Sequence, residues 1–292
     1  MKPAPFEYLV PDSIEQALEL KHQHGDEAKL LAGGQSLVPA MNFRVVQPTI
    51  LIDLNRIKDL GYIREDGKVL RVGAMTRERG LESDPLIPKR IPLMSEGILH
   101  VAHPQIRNRG TFGGSLANAD PAAELPVLAI ALDARMKARS SSAERWLSAQ
   151  DFFAGMFTTA LTADEILVEI EIPFMAQGAG FSFMEVAPRA GDYALMGVAA
   201  LVELDKKGKC QHAKLVYLNA GDGPVEAKEA ADSLKGLTVD DKLIESAAVM
   251  AGEKEINPYG NVHASPDFQR HLARVLTKQA LKQAVERAGG KQ

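Results

Sequence analysis

Along the first third of the chain, short apolar runs alternate with amphipathic stretches, a pattern that predicts strands and helices in repeating order. Residues 6–10 read as a strand. Asp12 is placed to cap a helix, with Glu15 completing a capping box. Ile14, Ala17 and Leu18 give that helix its apolar stripe, and Gly25 stops it. Residues 29–31 form a second strand that runs into a glycine loop made of Ala32, Gly33, Gly34, Gln35 and Ser36. Ser36 then caps a short helix carrying Leu37, Val38 and Met41, and the apolar run 49–54 is a buried strand. Up to about Asn55 the chain is a small βαβαβ module.

A hairpin opens the next unit: segments 62–64 and 68–72 flank Glu65, Asp66 and Gly67, with Asp-Gly as the turn signal. Helical spacing follows Thr76 and recurs through Ile91, Met94 and Ile98. A second glycine loop comprises Thr111, Phe112, Gly113, Gly114 and Ser115, and Asp120 with Pro121 starts another helix. Strands are predicted at 135–139 and 166–172, with Trp146 and Asp151 to Phe153 between them and a serine-rich loop at 140–142. The composition shifts at 176–180, which sets the expected domain boundary. The expected division is 1–176, with subdomains of about 1–56 and 57–176, followed by 177–292. Three strands (181–186, 195–204 and 211–219) then precede helices at 225–234, 241–251 and 266–288.

Composition narrows the function classes. Of 292 residues, 46% are hydrophobic, enough for a sizeable core, and 34 basic against 38 acidic residues give a net charge of −4. Nucleic acid is not the expected partner. Cys210 is the only cysteine, which excludes an internal disulfide, a multi-cysteine zinc site and an iron–sulfur cluster ligated within this chain. The first residues lack the apolar core of a secretory signal, and no run is long enough for a membrane helix, so the expectation is a cytoplasmic protein without membrane insertion.

The two glycine loops are the candidate chemistry. Paired glycines let a backbone approach a ligand closely and present successive N–H groups to an anion. Two such loops in adjacent units suit a pyrophosphate gripped from both sides. Neither is a Gly-x-Gly-x-x-Gly of a Rossmann site nor a Gly-x-x-x-x-Gly-Lys-Ser/Thr phosphate loop. On the residues alone, simple turns remain the alternative. Arg107 and Arg109 beside the second loop are either phosphate-neutralising or solvated. No histidine is assigned a catalytic or metal role, and neither His-Glu-x-x-His nor Gly-x-Ser-x-Gly occurs.

Residues 29–44, 106–126 and 189–194, in this order and spacing, resemble the FAD-binding blocks of the molybdenum hydroxylase flavoprotein subunits. These include the medium subunits of carbon monoxide dehydrogenases and the FAD domain of xanthine dehydrogenase. The resemblance spans essentially the whole chain. It implies an α+β fold, with which the strand and helix order agrees: a two-subdomain FAD-binding domain of the PCMH/vanillyl-alcohol-oxidase type, followed by a domain with a three-stranded antiparallel sheet and a helical bundle. It implies that Ala32, Gly33, Gly34, Gln35, Ser36 and Leu37, with Thr111, Gly113, Gly114, Ser115 and Ala117, hold a non-covalent FAD through its pyrophosphate. Val101, Ala102 and Ile106 would line the groove, Glu124 would bond a sugar or ribityl hydroxyl, and Leu167 and Tyr193 would approach the isoalloxazine ring. Gln35 stands where some relatives have histidine, and Glu124 where many have aspartate. The [2Fe–2S] clusters and the molybdopterin cofactor would then sit on a small iron–sulfur subunit and a large molybdopterin subunit, assembled as a dimer of heterotrimers. The chain would pass electrons from those clusters through FAD to an external acceptor. A self-sufficient flavin oxidase or reductase is the alternative enzyme, and an assembly module the non-enzymatic one.

Overall fold

A computed structural model describes residues 2–290. The first unit consists of β1 (Glu7–Leu9), α1 (Ile14–His24), β2 (Ala28–Leu31), α2 (Leu37–Asn42) and β3 (Ile50–Asp53). Its strands are parallel in the order β1-β3-β2, and every residue of the central β3 is buried, as its apolar run requires. The cap of α1 is Ser13, one residue beyond the expected Asp12. Ser13 Oγ accepts from Gln16 N at 3.2 Å, while Gln16 Oε1 accepts from Asp12 N at 2.9 Å. The Ser13–Gln16 pair satisfies two N–H groups reciprocally, which the Asp12–Glu15 frame does not achieve.

The second unit begins with β4 (Ile63–Asp66) and β5 (Val69–Gly73). Asp66 pairs with Val69, so the turn is Gly67 and Lys68, with Gly67 at φ +62°. The turn lies one residue later than the Asp-Gly signal suggested, because its first central position needs positive φ. Short helices follow: α3 (Glu78–Ser83), α4 (Leu86–Arg90), α5 (Pro92–Gly97), α6 (Pro104–Arg107), α7 (Phe112–Asn118) and α8 (Glu124–Ala131). Asp120 and Pro121 do not start α8. Asp120 Oδ1 instead accepts from Ala122 N at 3.0 Å in a turn, and the helix opens at Glu124. Next come β6 (Arg135–Arg139), β7 (Glu144–Ser148), α9 (Ala149–Phe152), β8 (Phe153–Gly155), β9 (Thr158–Thr159) and β10 (Ile166–Pro173). The main sheet is ordered β4-β5-β10-β6-β7. Trp146 lies in the edge strand β7, unforeseen in the sequence, and its ring is flanked by the guanidinium groups of Arg71 and Arg135.

The last part contains β11 (Gly180–Val186), β12 (Met196–Leu204), β13 (Cys210–Leu218), β14 (Val225–Glu226), α10 (Lys228–Asp232), α11 (Asp241–Met250) and α12 (Pro266–Ala288). The antiparallel sheet has a fourth strand beyond the three expected: Val225 pairs with Tyr217, so the helix expected from 225 begins at Lys228. Alternate residues of this sheet serve two cores. Ala199, Val216 and Leu218 join the core built on α8, whereas Val198, Ala200, Val202 and Tyr217 pack with Leu276 and Leu281 of α12. Every residue of α8 is buried because it lies between these layers. Among the described residues no helix is long and apolar enough to cross a membrane.

Candidate functional site

The two glycine loops touch. A Cβ on Gly33 would stand 2.4 Å from Arg109 O and 2.7 Å from Gly110 Cα, and one on Gly114 would stand 3.4 Å from Ala32 Cβ. Sequence spacing suggested two loops; the fold sets them backbone against backbone.

Their chemistry differs. Among the described residues, the backbone N–H groups of Gly33, Gly34, Gln35, Ser36 and Leu37 donate to no protein acceptor. Gly34 is left-handed at φ +74°, and Gln35 Nε2 folds back to donate to Gly33 O at 3.2 Å. Successive unpaired N–H groups around a left-handed residue form an anion-binding concavity. Ser36 precedes α2 but its side chain makes no capping bond, so its hydroxyl remains open to a ligand.

In the second loop the N–H groups of Phe112, Gly113, Gly114 and Ser115 are taken, and only that of Thr111 has no acceptor among the described residues. Phe112 N donates to Thr76 O at 2.9 Å, Gly113 N to Ala74 O at 2.8 Å, Gly114 N to Thr111 Oγ1 at 3.2 Å, and Ser115 N to Thr111 O at 3.0 Å. The loop is the capped first turn of α7. Gly113 is packed, with its would-be Cβ 2.5 Å from Ala74 Cβ. This loop supplies a wall rather than a second nest, which corrects the expectation that both present N–H groups alike. Ser115 is half-buried and Ala117 exposed on that wall.

Two residues missed in the sequence connect the loops. Asn55 Nδ2 donates to Ala32 O at 2.9 Å, and Arg77 Nη2 donates to Asn55 Oδ1 at 2.6 Å. Arg77 Nη1 donates to Arg109 O. No local motif marks either residue; only the non-local pairing reveals them.

Beyond α7 lies a group of carboxylates. Glu124, buried at the start of α8, receives no hydrogen bond from another side chain among the described residues. Burial, with the charges of Glu185, Glu78 and Asp120, pushes its carboxyl up to about 8. Glu78 lies beneath Gly110 with Oε2 unpartnered, and burial pushes it up to about 7. Tyr193 is 69% exposed, and its hydroxyl is raised above the usual value by the surrounding protein and by the charges of Asp120 and Glu124. The third block therefore comes to the carboxylates that follow the second loop. Its neighbour Gly191 lies against the ring of His103.

Val101 is buried, Ile106 half-buried, and Ala102 is left-handed at φ +42°. Buried Arg107 holds this turn, donating to Val101 O at 2.8 Å and Ala102 O at 3.2 Å while pairing with Glu82 at 2.9 Å. Arg107 is thus a structural brace, not a phosphate ligand, whereas the Arg109 side chain is exposed. Leu167 lies beside a bulge in β10 and is 5% exposed within the central core. A separate cleft of about 870 Å³, lined by Glu96, Gln283 and Arg287 among others, shares no residue with the loops.

Residues 4–175 match the family described as the FAD binding domain in molybdopterin dehydrogenase, and residues 181–284 match the CO dehydrogenase flavoprotein C-terminal domain. The chain belongs to the FAD-binding subunits of the molybdenum hydroxylases. It is 41% identical over 288 residues to the 6-hydroxypseudooxynicotine dehydrogenase complex subunit alpha of Paenarthrobacter nicotinovorans, covering 99% of this chain and 97% of that one. A solved carbon monoxide dehydrogenase from Hydrogenophaga pseudoflava that lacks the Mo-pyranopterin moiety superposes with TM-score 0.95 at 36% identity, covering 98% of this chain and 99% of that one. Quinoline 2-oxidoreductase from Pseudomonas putida 86 gives 0.93 at 37% identity, covering 100% and 99%. The flavoprotein's own residues fit FAD: an open N–H concavity meets a packed glycine wall, and the buried carboxyl of Glu78, with Oε2 unpartnered, lies beneath Gly110 beside it.

Proposed function

We propose that this oxidoreductase subunit carries electrons from [2Fe–2S] clusters on a partner chain, through its FAD, to an external acceptor. The observation that carries the reading is the run of unpaired N–H groups from Gly33 to Leu37 set against a second glycine loop. In this reading the N–H groups of Gly33, Gly34, Gln35, Ser36 and Leu37 hold the FAD diphosphate, with the Ser36 hydroxyl. Ala32 carries the seam, and Thr111, Gly113, Gly114, Ser115 and Ala117 form the opposite wall. Val101, Ala102 and Ile106 line the groove, Glu124 meets a sugar or ribityl hydroxyl, and Leu167 and Tyr193 approach the ring. Bound FAD supplies the exchange between single-electron and paired-electron transfer. The chain's residues bind it, orient it and set the polarity around it.

The same division of labour puts the FAD-binding domain at 1–176 and the remaining flavoprotein domain at 177–292. It puts the clusters on a small subunit and the molybdopterin on a large one, in a cytoplasmic dimer of heterotrimers. The lone Cys210 is buried, which supports clusters held elsewhere. Similar chains occur in enzymes named for 6-hydroxypseudooxynicotine, carbon monoxide and quinoline, which supports substrate recognition off this chain.

The test is to purify the protein through a tag on this chain, then measure flavin, iron and molybdenum and identify the accompanying chains. One FAD per chain, with metals only in fractions containing partners, is expected. Rapid flavin reduction by an organic substrate in this chain alone would overturn the relay.

A further inference from the structure

Arg77 lies between Thr76, whose carbonyl accepts from Phe112 N, and Glu78, whose N–H donates to Gly110 O at 3.0 Å. Its backbone is therefore paired alongside the second loop, opposite Thr111. Its side chain turns to the first unit. One arm of the guanidinium donates to Asn55 Oδ1 and the other to Arg109 O. Asn55 is itself held: its N–H donates to Asp53 Oδ1 at 2.9 Å, and Tyr8 OH donates to the other oxygen of that carboxylate. The remaining hand of Asn55, Nδ2, donates to Ala32 O. The result is a continuous path from β3 through Asn55 to the first loop and through Arg77 to the second.

Most half-buried or buried arginines meet a carboxylate: Arg71 meets Glu169 at 2.8 Å, Arg107 meets Glu82 at 2.9 Å and Arg287 meets Glu96 at 2.7 Å, whereas Arg77, like Arg270, donates to carbonyl oxygens. Among the described residues no carboxylate lies within 4.0 Å of Arg77, although its side chain is only half-exposed to solvent. Partial burial and the neighbouring Arg109 charge disfavour its protonated form, against the weaker pull of Asp53 and Glu78, and an anion at the seam adds a compensating charge. The guanidinium fork has the geometry to hold two acceptors at once, which a lysine ammonium lacks.

We propose that Arg77 and Asn55 form a clamp that sets the spacing of the two glycine loops and leaves at their seam a positive charge with no directly paired carboxylate, for the FAD diphosphate. They are positioning residues: Asn55 acts through Ala32, and Arg77 acts through Arg109 and Asn55. The proposal rests on the FAD reading given above.

The test uses the protein purified with its accompanying chains, stripped of flavin and titrated with FAD. Arg77→Met and Asn55→Ala are expected to weaken FAD binding at least about tenfold, since each removes charge-assisted bonds at the seam. Arg77→Lys is expected to recover only part of that loss, and Arg77→Met to bind FAD with a weaker dependence on salt than Asn55→Ala, which keeps the charge. The visible circular dichroism of bound flavin should change in both clamp variants. Leu281→Ala, at a fully buried position of α12, is the control for simple destabilisation. Wild-type affinity in Arg77→Met or in Arg77→Lys overturns the clamp, as does an equal loss in Leu281→Ala. A wild-type protein that takes up no FAD overturns the functional reading as well. FAD held equally by wild type and variants overturns the clamp alone.

Discussion

Ala32 to Ser36 and Thr111 to Ser115 both place paired glycines and a hydroxyl residue ahead of a short helix, yet their backbones are used in opposite ways. In the first, five successive N–H groups stay open and the serine hydroxyl caps nothing. In the second, the N–H groups of Phe112 to Ser115 bond to Ala74, Thr76 and Thr111, and the threonine hydroxyl is the cap. The same residue pattern thus yields a ligand cradle in one place and a packed wall in the other. What separates them is the neighbouring chain: segment 74–78 runs alongside the second loop and takes its donors. Among the described residues no segment takes the donors of the first.

The most severe way to break this pairing is at the contact between the loops. Gly33→Val places a Cβ against the backbone of Arg109 and Gly110, and Gly113→Val places one against Ala74. Backbone cannot rotate away as a side chain does, so each is expected to cost about 2–3 kcal/mol of stability. Both should also lose most of the bound flavin. Denaturant midpoints and the flavin-to-protein absorbance ratio measure the two effects. Gly34→Ala is milder: its neighbours are the flexible tips of Leu31 and Val38 at 3.2 Å, but its φ of +74° disfavours a Cβ by about 1 kcal/mol. Because Gly34 shapes the open N–H run, its flavin loss should exceed what that small destabilisation accounts for. Equal flavin loss and stability loss across all three variants would erase the distinction between cradle and wall.

A second contrast is electrostatic. The first loop offers N–H groups, whereas the segment after the second offers Glu124, held up at about 8. A carboxyl raised from its usual 4.5 to about 8 stabilises the fold fully only below pH 4.5, and that contribution is lost as pH rises toward about 8. Glu124→Gln removes the titration. The variant should melt close to wild type at about pH 5 and several degrees higher at about pH 9, in deflavinated protein. Glu78, raised to about 7, leaves a shallower slope that ends at lower pH. Parallel melting curves for wild type and variant across this range would show that Glu124 titrates normally.

Much of this architecture was legible because it is written locally. The stripe, Ser-Pro start and length of α12 mark 266–288 without help from the rest of the chain. The parallel first unit follows from alternating apolar runs and from β3 being apolar on both faces. Where two local signals compete, the sequence is ambiguous by a residue: Asp12 with Glu15 and Ser13 with Gln16 both match the capping-box pattern, and the hydrogen bonds of Gln16 with Ser13 and Asp12 show that Ser13 is the cap. Strand β7 hides because Glu144 and Arg145 carry no alternation, and its pairing with β6 decides it. The site was legible as two loops and a tyrosine block, but not as a cradle and a wall. Asn55 and Arg77 lie 22 residues apart in loops without a motif, so their bond is a property of the fold alone. Arg107 stayed open between a phosphate-neutralising and a solvated role because charge is visible in sequence and burial is not.

The smallest predicted effect makes the sharpest comparison, between the two hydroxyl groups. Thr111→Val removes the acceptor for Gly114 N and should cost about 1 kcal/mol as a lost helix cap, read as a lower melting temperature in deflavinated protein. Ser36→Ala removes no bond within the chain, so the deflavinated protein should melt within about 0.5 kcal/mol of wild type. Its effect should appear only with FAD present, as a weakening of about 3–10-fold, the worth of one hydrogen bond to the diphosphate. Titration calorimetry on the deflavinated protein separates the two. If Ser36→Ala lowers the melting temperature without FAD, its hydroxyl is structural and the first loop resembles the second. If it leaves both stability and affinity unchanged, the diphosphate is held by the backbone N–H groups alone.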